Sequence, residues 1–523
     1  MTTPRILWAD DEIDLLRPHI LFLETKGYAV TSVTNGADAV EQVRESRFDV
    51  VLLDEQMPGM DGLETLEAIK RTAPDVPVVM VTKSEEETLM EEALGGQISD
   101  YLTKPVNPSQ ILLTCKRLLE RSRLRTEKVS QDYLQRFNQI TAALMNPLGH
   151  REWVELYREL LRYDLEMRGD EGARQILDDQ YQEANRAFGR FIEDHYRDWI
   201  AAVYDDEAPD DERPVLSHEV IPTFVMPHLG DDRPVVLFVI DCMRYDQWLE
   251  FEQLLYPHFT MEKDFHYSIL PTATPYSRNA LFSGLLPREI ARRYPDAWAS
   301  GEDDEHSRNR DEDRFLRDLL DRRHHKDVRM RYDKLIGKDD GRAFAQNVTD
   351  LLQSDLAAVV VNFVDILAHS RADSDVIKEL APDERAYRAL TRTWFEHSWL
   401  YQAFRDLAAH DCTVVITTDH GAVRSLHATK VIGDRHTSTA LRYKYGRNLQ
   451  ADEKHALFIR DPEAYGLPSD TMTTNYIIAK EDYYFVYPTN YHRYLNLYRD
   501  SMQHGGASME EMLLPVITMR PKR

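Results

Sequence analysis

Short apolar runs that end on a carboxylate recur along this chain, and they limit its fold more than any other feature. Ile6-Leu7-Trp8 leads to Asp10-Asp11, and Val50-Val51-Leu52-Leu53 leads to Asp54. A third run, Val78-Val79-Met80-Val81, ends on Thr82. Helical patterns separate these runs from Arg5 to about Arg121, an alternation that calls for parallel strands joined by crossover helices. An open parallel sheet gathers the residues that follow its strands at one edge, where such folds bind their ligands. Asp10, Asp11 and Asp54 should therefore meet.

The same signature returns in the second half. Asp241 follows the run Val235 to Ile240, Asp365 follows Ala357 to Val364, and Asp419-His420 follow Thr413 to Thr417. Between the two halves, from Leu124 to about Asp206, the pattern becomes helical and dense in charge, as in Trp153-Val154-Leu156-Tyr157-Leu160-Leu161. It breaks once, at Asn146-Pro147-Leu148-Gly149. The acidic stretch from Asp205 to Glu212 reads as a solvated linker, and Gly301 to Asp313 as an exposed insertion. The expected architecture is a multidomain α/β chain. Residues 1–121 form a doubly wound domain, 122–212 a helical bundle or connector with a linker, and 213–523 a second α/β domain.

Charge and cysteine usage narrow the function classes. Ninety acidic residues against 64 basic ones give a net charge of −26, which repels duplex DNA and anionic membranes. A DNA-binding regulator is disfavoured. Three cysteines, Cys115, Cys242 and Cys412, stand far apart without zinc-type spacing. The N-terminus opens directly into a strand pattern, and no apolar run approaches the roughly 20 residues that span a bilayer. The chain reads as soluble and cytoplasmic, with no membrane insertion.

Three clustered carboxylates need a cation. Asp10, Asp11 and Asp54 suit hard, oxygen-ligated Mg²⁺, with one carboxylate left to accept a phosphoryl group. Lys104, before Pro105, can pair with the added phosphate, and Thr82 can hydrogen-bond one of its oxygens. Asp10-Asp11-Glu12, Leu53-Asp54-Glu55-Gln56-Met57-Pro58-Gly59, Thr82 and Tyr101-Leu102-Thr103-Lys104-Pro105 together resemble a two-component receiver domain. The resemblance implies that Asp54 is phosphorylated by a sensor histidine kinase and that the Gln56 carbonyl completes the Mg²⁺ site. It also makes Thr82 and Tyr101 the switch positions and implies phosphorylation-linked homodimerisation.

The second cluster is mixed. Asp365 and His369 are four residues apart, so they share one face of a helical turn, and His504 precedes the last apolar run. With Asp241, Asp419 and His420 they make a carboxylate and imidazole set that favours zinc over magnesium alone. Two metals about 4 Å apart can hold a phosphoryl group, activate its nucleophile and stabilise its leaving oxygen. Thr272, Thr274 and Ser277 supply hydroxyls before a helix-like run whose N-terminus suits an anion.

This ordered set resembles the alkaline phosphatase superfamily, in particular its nucleotide phosphodiesterase and PglZ-like members. The resemblance implies two Zn²⁺ ions, one on Asp365, His369 and His504, the other on Asp241, Asp419, His420 and the nucleophile. It places the nucleophile at Thr274, with Thr272 in reserve. Ser277 stands where the family carries a phosphate-clamping asparagine, which leaves Ser277, Arg278 and Asn279 as the substrate-binding set.

For substrate contacts, Tyr483, Tyr484, Phe485, Tyr487, Tyr491, Tyr494 and Tyr498 precede His504 and could stack bases at roughly 1–3 kcal/mol each. Lys430, Arg435, His436 and Arg442 form a locally basic stretch. Receiver, helical middle and phosphatase-like domain in this order resemble the PorX-type response regulators, a family tied to type IX secretion. That resemblance implies a phosphodiesterase acting on cyclic or linear oligonucleotides. The rival reading is a metal-stabilised adaptor that binds a sigma factor or secretion component without catalysis.

Overall fold

The computed structural model describes residues 3–73, 76–82, 98–167, 171–205, 212–230, 233–299, 309–335, 338–434, 438, 440–469, 471, 473–489 and 491–522. They fall into two compact units, residues 1–135 with 166–173, and residues 136–165 with 174–523.

In the first unit five parallel strands, β1 (Arg5–Ala9), β2 (Ala29–Val33), β3 (Val50–Asp54), β4 (Val78–Thr82) and β5 (Asp100–Thr103), pair in the order β2-β1-β3-β4-β5. Alternate residues of a strand face opposite sides. Ile6, Trp8, Val50 and Leu52 accordingly enter one hydrophobic core, and Leu7, Ala9, Val51 and Leu53 another. Burial on both faces explains why these strands read as unbroken apolar runs rather than as an alternation. β1 pairs with β2 on one side and β3 on the other, so Asp10 and Asp54 flank the point where the strand order reverses.

The helix Pro108–Leu144 runs through the boundary that composition placed near residue 121. Its 37 residues contain no glycine, and no proline after the first, so nothing in its sequence stops it. It ends at the predicted break, and the helices His150–Glu166 and Glu171–Tyr204 follow. Trp153, Leu156, Tyr157, Leu160 and Leu161 are buried at the spacing of a single helical face. Most of the linker read from Asp205 to Glu212 lies outside the described residues.

The second unit is built on six strands. β6 (Val235–Ile240), β7 (Phe259–Tyr267), β8 (Met330–Leu335), β9 (Leu356–Val361) and β10 (Thr413–Thr417) are joined by the C-terminal strand Leu513–Pro521. The order is β7, C-terminal strand, β10, β6, β9, β8. β10, β6, β9 and β8 are parallel, and the C-terminal strand runs antiparallel to both neighbours. The parallel strands point their carboxyl ends the same way, toward Asp241 and Asp419.

Two sequence expectations need correction here. The run read as a strand from Ala357 to Val364 leaves the sheet at Val361, and the helix Phe363–Asp373 begins after Asn362. Asp365 therefore sits in the first turn of a helix, and His369 lies one turn along on the same face. The exposed insertion read from Gly301 to Asp313 does not extend to its end. Residues 301–308 lie outside the described set, but Asn309 and Glu312 are buried, and Glu312 opens the helix Glu312–Arg322. An acidic run suggested solvent, whereas Glu312 is neutralised by Arg278 and Lys334.

Candidate phosphoacceptor and metal centres

At the carboxyl edge of the first sheet, ligand atoms of Asp10, Asp11 and Asp54 lie within 4.8 Å of one another. Asp10 and Asp54 are buried, and Asp11 is exposed at the mouth. Asp10 accepts the Glu12 N–H at 2.9 Å, which fixes its carboxylate. Lys104, just beyond β5, places its ammonium 3.0 Å from Asp10 and 2.9 Å from Asp54. Burial raises the Asp54 carboxyl above its ordinary value, the Lys104 hydrogen bond opposes this, and Asp10 adds to the rise. Three carboxylates against one ammonium leave a negative surplus, so the donor set fits a hard dication. Exposed Gln56 lines the same cleft beside Asp11. Thr82 donates from the end of β4 to the Glu55 carboxylate. Tyr101, on the edge strand β5, is half-buried against the core cluster that contains Val78 and Met80.

The second centre draws on four stretches of chain. Asp365, His369 and His504 form one group and Asp241, Asp419 and His420 another, with the ligand atoms of each group within 4.8 Å of one another. His369 Nε2 lies 3.3 Å and His504 Nε2 3.9 Å from Asp365 Oδ1. His420 Nε2 lies 3.7 Å from both Asp241 Oδ1 and Asp419 Oδ2. The His420 and His504 rings stack at 4.3 Å, which sets the two groups side by side.

The electrostatics of both groups suit bound cations. Asp241 Oδ1 and Asp419 Oδ2 are buried without a hydrogen bond, a costly arrangement for carboxylate oxygens. Burial raises Asp241, and raises Asp419 to about 6, with Arg278 the main opposing charge for each. Burial also works against ionised Asp365, yet its hydrogen bond to His369 and the charges of His369, His504 and His420 hold it well below the usual range. His420 Nδ1 donates to the Gly421 carbonyl at 3.0 Å, so Nε2 keeps its lone pair facing the cluster. A backbone partner of this kind commonly orients a metal-bound imidazole. Two carboxylate-imidazole groups with bare oxygens and an aimed lone pair fit a pair of borderline metals such as zinc.

The hydroxyls differ sharply. Thr274 opens the helix Thr274–Ser283, and its Oγ1 lies 2.8 Å from His420 Nε2. Thr272 is turned away into a different task. Its hydroxyl donates to the Gly506 carbonyl at 2.7 Å and accepts the Gly505 N–H at 3.1 Å, tying down the loop that carries His504. Glu511 holds the same loop by accepting the Gly506 N–H at 2.8 Å. Gly505 has φ +114°, which favours glycine, and a Cβ on Gly506 would strike the Arg442 guanidinium.

The proposed substrate contacts are already engaged inside the protein. Ser277 donates back to the Ala273 carbonyl, and Arg278 bridges Asp241 and Glu312. Asn279 donates to the Pro275 carbonyl and accepts from Asn309, which also donates to the Thr274 carbonyl. The basic stretch is likewise corrected. Arg442 is fully buried and bidentate on Glu511, so it is not part of a surface, and Arg435 and His436 lie outside the described residues. Among the aromatics, Tyr484 and Phe485 are core, while Tyr483, Tyr487, Tyr491, Tyr494 and Tyr498 are half-buried. Asn309, Glu312 and Lys334 beside Arg278 were missed in the sequence, because acidic segments and single charges on a strand carry no burial signal.

Among the described residues no helix is long and apolar enough to cross a membrane. Three families match the chain in sequence. Residues 6–116 match the response regulator receiver domain, 123–200 the PorX response regulator linker domain, and 220–519 the BREX system PglZ alkaline phosphatase-like domain. Among curated proteins, the transcriptional regulatory protein ResD of Bacillus subtilis is 35% identical over 118 residues, 23% of this chain and 49% of that protein. The transcriptional regulatory protein BaeR of Escherichia coli is 37% identical over 132 residues, 25% of this chain and 54% of that protein. The chain thus spans about half the length of the curated relatives it matches. Among solved structures, the receiver domain of Francisella response regulator 1452 is 25% identical, covering 23% of this chain and 98% of that one, with a TM-score of 0.22. A receiver domain protein of Clostridium thermocellum gives 26%, 23%, 98% and 0.22. With the PglZ match alone covering more than half of its length, the chain belongs to the PglZ alkaline phosphatase-like family and is a two-component response regulator of PorX-type architecture.

Proposed function

We propose that this protein is a zinc-dependent phosphodiesterase, acting on cyclic or linear oligonucleotides, whose receiver is phosphorylated on Asp54 by a sensor histidine kinase. The observation that carries the reading is the Thr274 hydroxyl, 2.8 Å from His420 Nε2 at the N-terminus of a buried helix. Asp365, His369 and His504 would hold one zinc, and Asp241, Asp419 and His420 the other, joined by Thr274. Bound zinc supplies charge for the phosphoryl oxygens and acidifies hydroxyl or water near neutral pH. In the receiver, Asp10, Asp11, Asp54 and the Gln56 carbonyl would hold Mg²⁺.

Thr274 Oγ1 forms the new bond to phosphorus as the bond to the departing alcohol oxygen breaks. Thr274 gives up its hydroxyl proton, and the leaving alkoxide gains one. Water then attacks the phosphothreonine, releasing a phosphomonoester and restoring the hydroxyl. The helix N-terminus behind Thr274 favours the anionic group. PorX-type architecture supports a place in the control of type IX secretion, with phosphorylation read out as homodimerisation and a sigma factor or secretion component as downstream partner.

The test is hydrolysis of bis-p-nitrophenyl phosphate and short oligonucleotides with zinc present, comparing the wild type with Thr274→Val at equal metal content. Turnover lost in the metal-replete variant supports a threonine nucleophile. No turnover from metal-loaded wild type moves the reading to the catalytically silent adaptor.

A further inference from the structure

The helix Glu171–Tyr204 lies in the segment that reads as a connector, yet its side chains reach the loops of the metal centre. Tyr196 is fully buried, and its hydroxyl accepts the Leu270 N–H at 3.0 Å, four residues before Thr274. Asn185 is 6% exposed. Its Oδ1 accepts the Met509 N–H at 2.8 Å and its Nδ2 donates to Glu510 at 2.9 Å, five and six residues beyond His504. Asn185 and Tyr196 are eleven residues apart, which is three helical turns, so they share one face. The preceding helix, His150–Glu166, adds a third tie. Asp164 pairs with Arg388, Arg388 with Asp246, and Asp246 with Arg244, three residues after Asp241. The links in the network from Arg388 inward are buried.

We infer that this helical segment is a positioning scaffold of the metal centre, with Tyr196 setting the Thr274 loop and Asn185 setting the His504 loop. Partners that orient metal ligands from behind commonly change metal affinity 10–100-fold when removed, and small displacements of reacting groups cost similar factors in rate. A displacement of the helix Glu171–Tyr204 therefore moves a metal ligand and the hydroxyl together. Both parts of this inference rest on the proposed zinc centre, and the kinetic part rests also on the proposed phosphodiesterase activity.

The experiment uses the full chain with Asn185→Ala, Tyr196→Phe and, as control, Gln180→Ala. Gln180 lies on the same helix but bonds to Phe137 and Thr141 of the neighbouring helix. Zinc retention is read by competition with a colorimetric chelator, stability by thermal melting, and kcat and KM on bis-p-nitrophenyl phosphate. Asn185→Ala should weaken zinc retention about tenfold. Tyr196→Phe should lower kcat about tenfold with KM and zinc stoichiometry unchanged. Gln180→Ala should lower the melting temperature while leaving retention and kcat at wild-type values. The inference is overturned if all three variants only lose stability. Should the wild type show no turnover, full zinc retention in Asn185→Ala overturns it by itself.

Discussion

Replacing Thr272 or Thr274 by valine keeps the shape of the side chain and removes one hydroxyl, and the two replacements should fail in different ways. In Thr272→Val the Gly506 carbonyl and the Gly505 N–H both lose a partner in a fully buried loop. An unsatisfied buried group costs about 1–3 kcal/mol, so the pair should cost roughly 2–6 kcal/mol. In Thr274→Val only the hydrogen bond to His420 is lost, about 1 kcal/mol. At about 2 cal/mol/K of unfolding entropy per residue, a unit as large as residues 136–165 with 174–523 moves its melting temperature by only about 1 °C per kcal/mol, so Thr272→Val should melt at least about 2 °C lower. Below its melting point Thr272→Val should retain turnover, reduced in step with zinc lost from the His504 loop. Thr274→Val should melt close to the wild type, hold its zinc and show no turnover. Thermal melts, zinc analysis and bis-p-nitrophenyl phosphate hydrolysis on the same preparations decide the matter. A Thr272→Val protein with wild-type melting and no turnover would refute the assignment, as would sustained turnover from Thr274→Val.

Three further outcomes are expected. Arg442→Ala strands the fully buried Glu511 carboxylate and should destabilise the protein by about 3–5 kcal/mol, measured by urea unfolding. Burial first, and then the charge of Glu384, raise Glu510 from 4.5 to about 7. Its folded form binds the proton more tightly than its unfolded form, so its contribution is favourable at acid pH and is lost as pH rises from 4.5 to about 7. Glu510→Gln should therefore gain stability over wild type at pH 8 relative to pH 5, by as much as about 3 kcal/mol, in paired denaturation curves. Asp54→Ala should abolish phosphorylation by a small-molecule phosphodonor and any phosphate-linked association seen by light scattering, while zinc content stays at the wild-type level. Zinc lost from that variant would mean that the two centres are not independent.

Most of the candidate metal centre was legible because its residues obey a rule visible in one dimension. Asp241 and Asp419 stand just past buried β-runs, and a parallel sheet brings such positions to one edge whatever the rest of the chain does. His369 was legible through the helical interval from Asp365. What stayed hidden lacks periodicity. Glu312 lies in a run of acids that resembles a solvated segment, and only the approach of Arg278 and Lys334 in space makes its burial tolerable. Arg442 looked like part of a basic surface because its partner, Glu511, is 69 residues away. Thr272 and Thr274 could not be ranked from hydroxyl chemistry alone. Their roles separate only when the glycine loop after His504 folds back onto Thr272.

The antiparallel strand Leu513–Pro521 lies inside its sheet, between β7 and β10, although it is the last of the six in sequence. Five of the six candidate histidine and aspartate ligands have been made by residue 420, but the sixth, His504, is separated from the strand that closes the sheet only by a glycine loop and the short helix Met509–Met512. During synthesis the receiver can leave the ribosome and fold long before the candidate metal centre is complete. An interrupted chain would carry the receiver without a complete candidate metal centre, so premature termination yields a signalling module cut off from the site it is proposed to control.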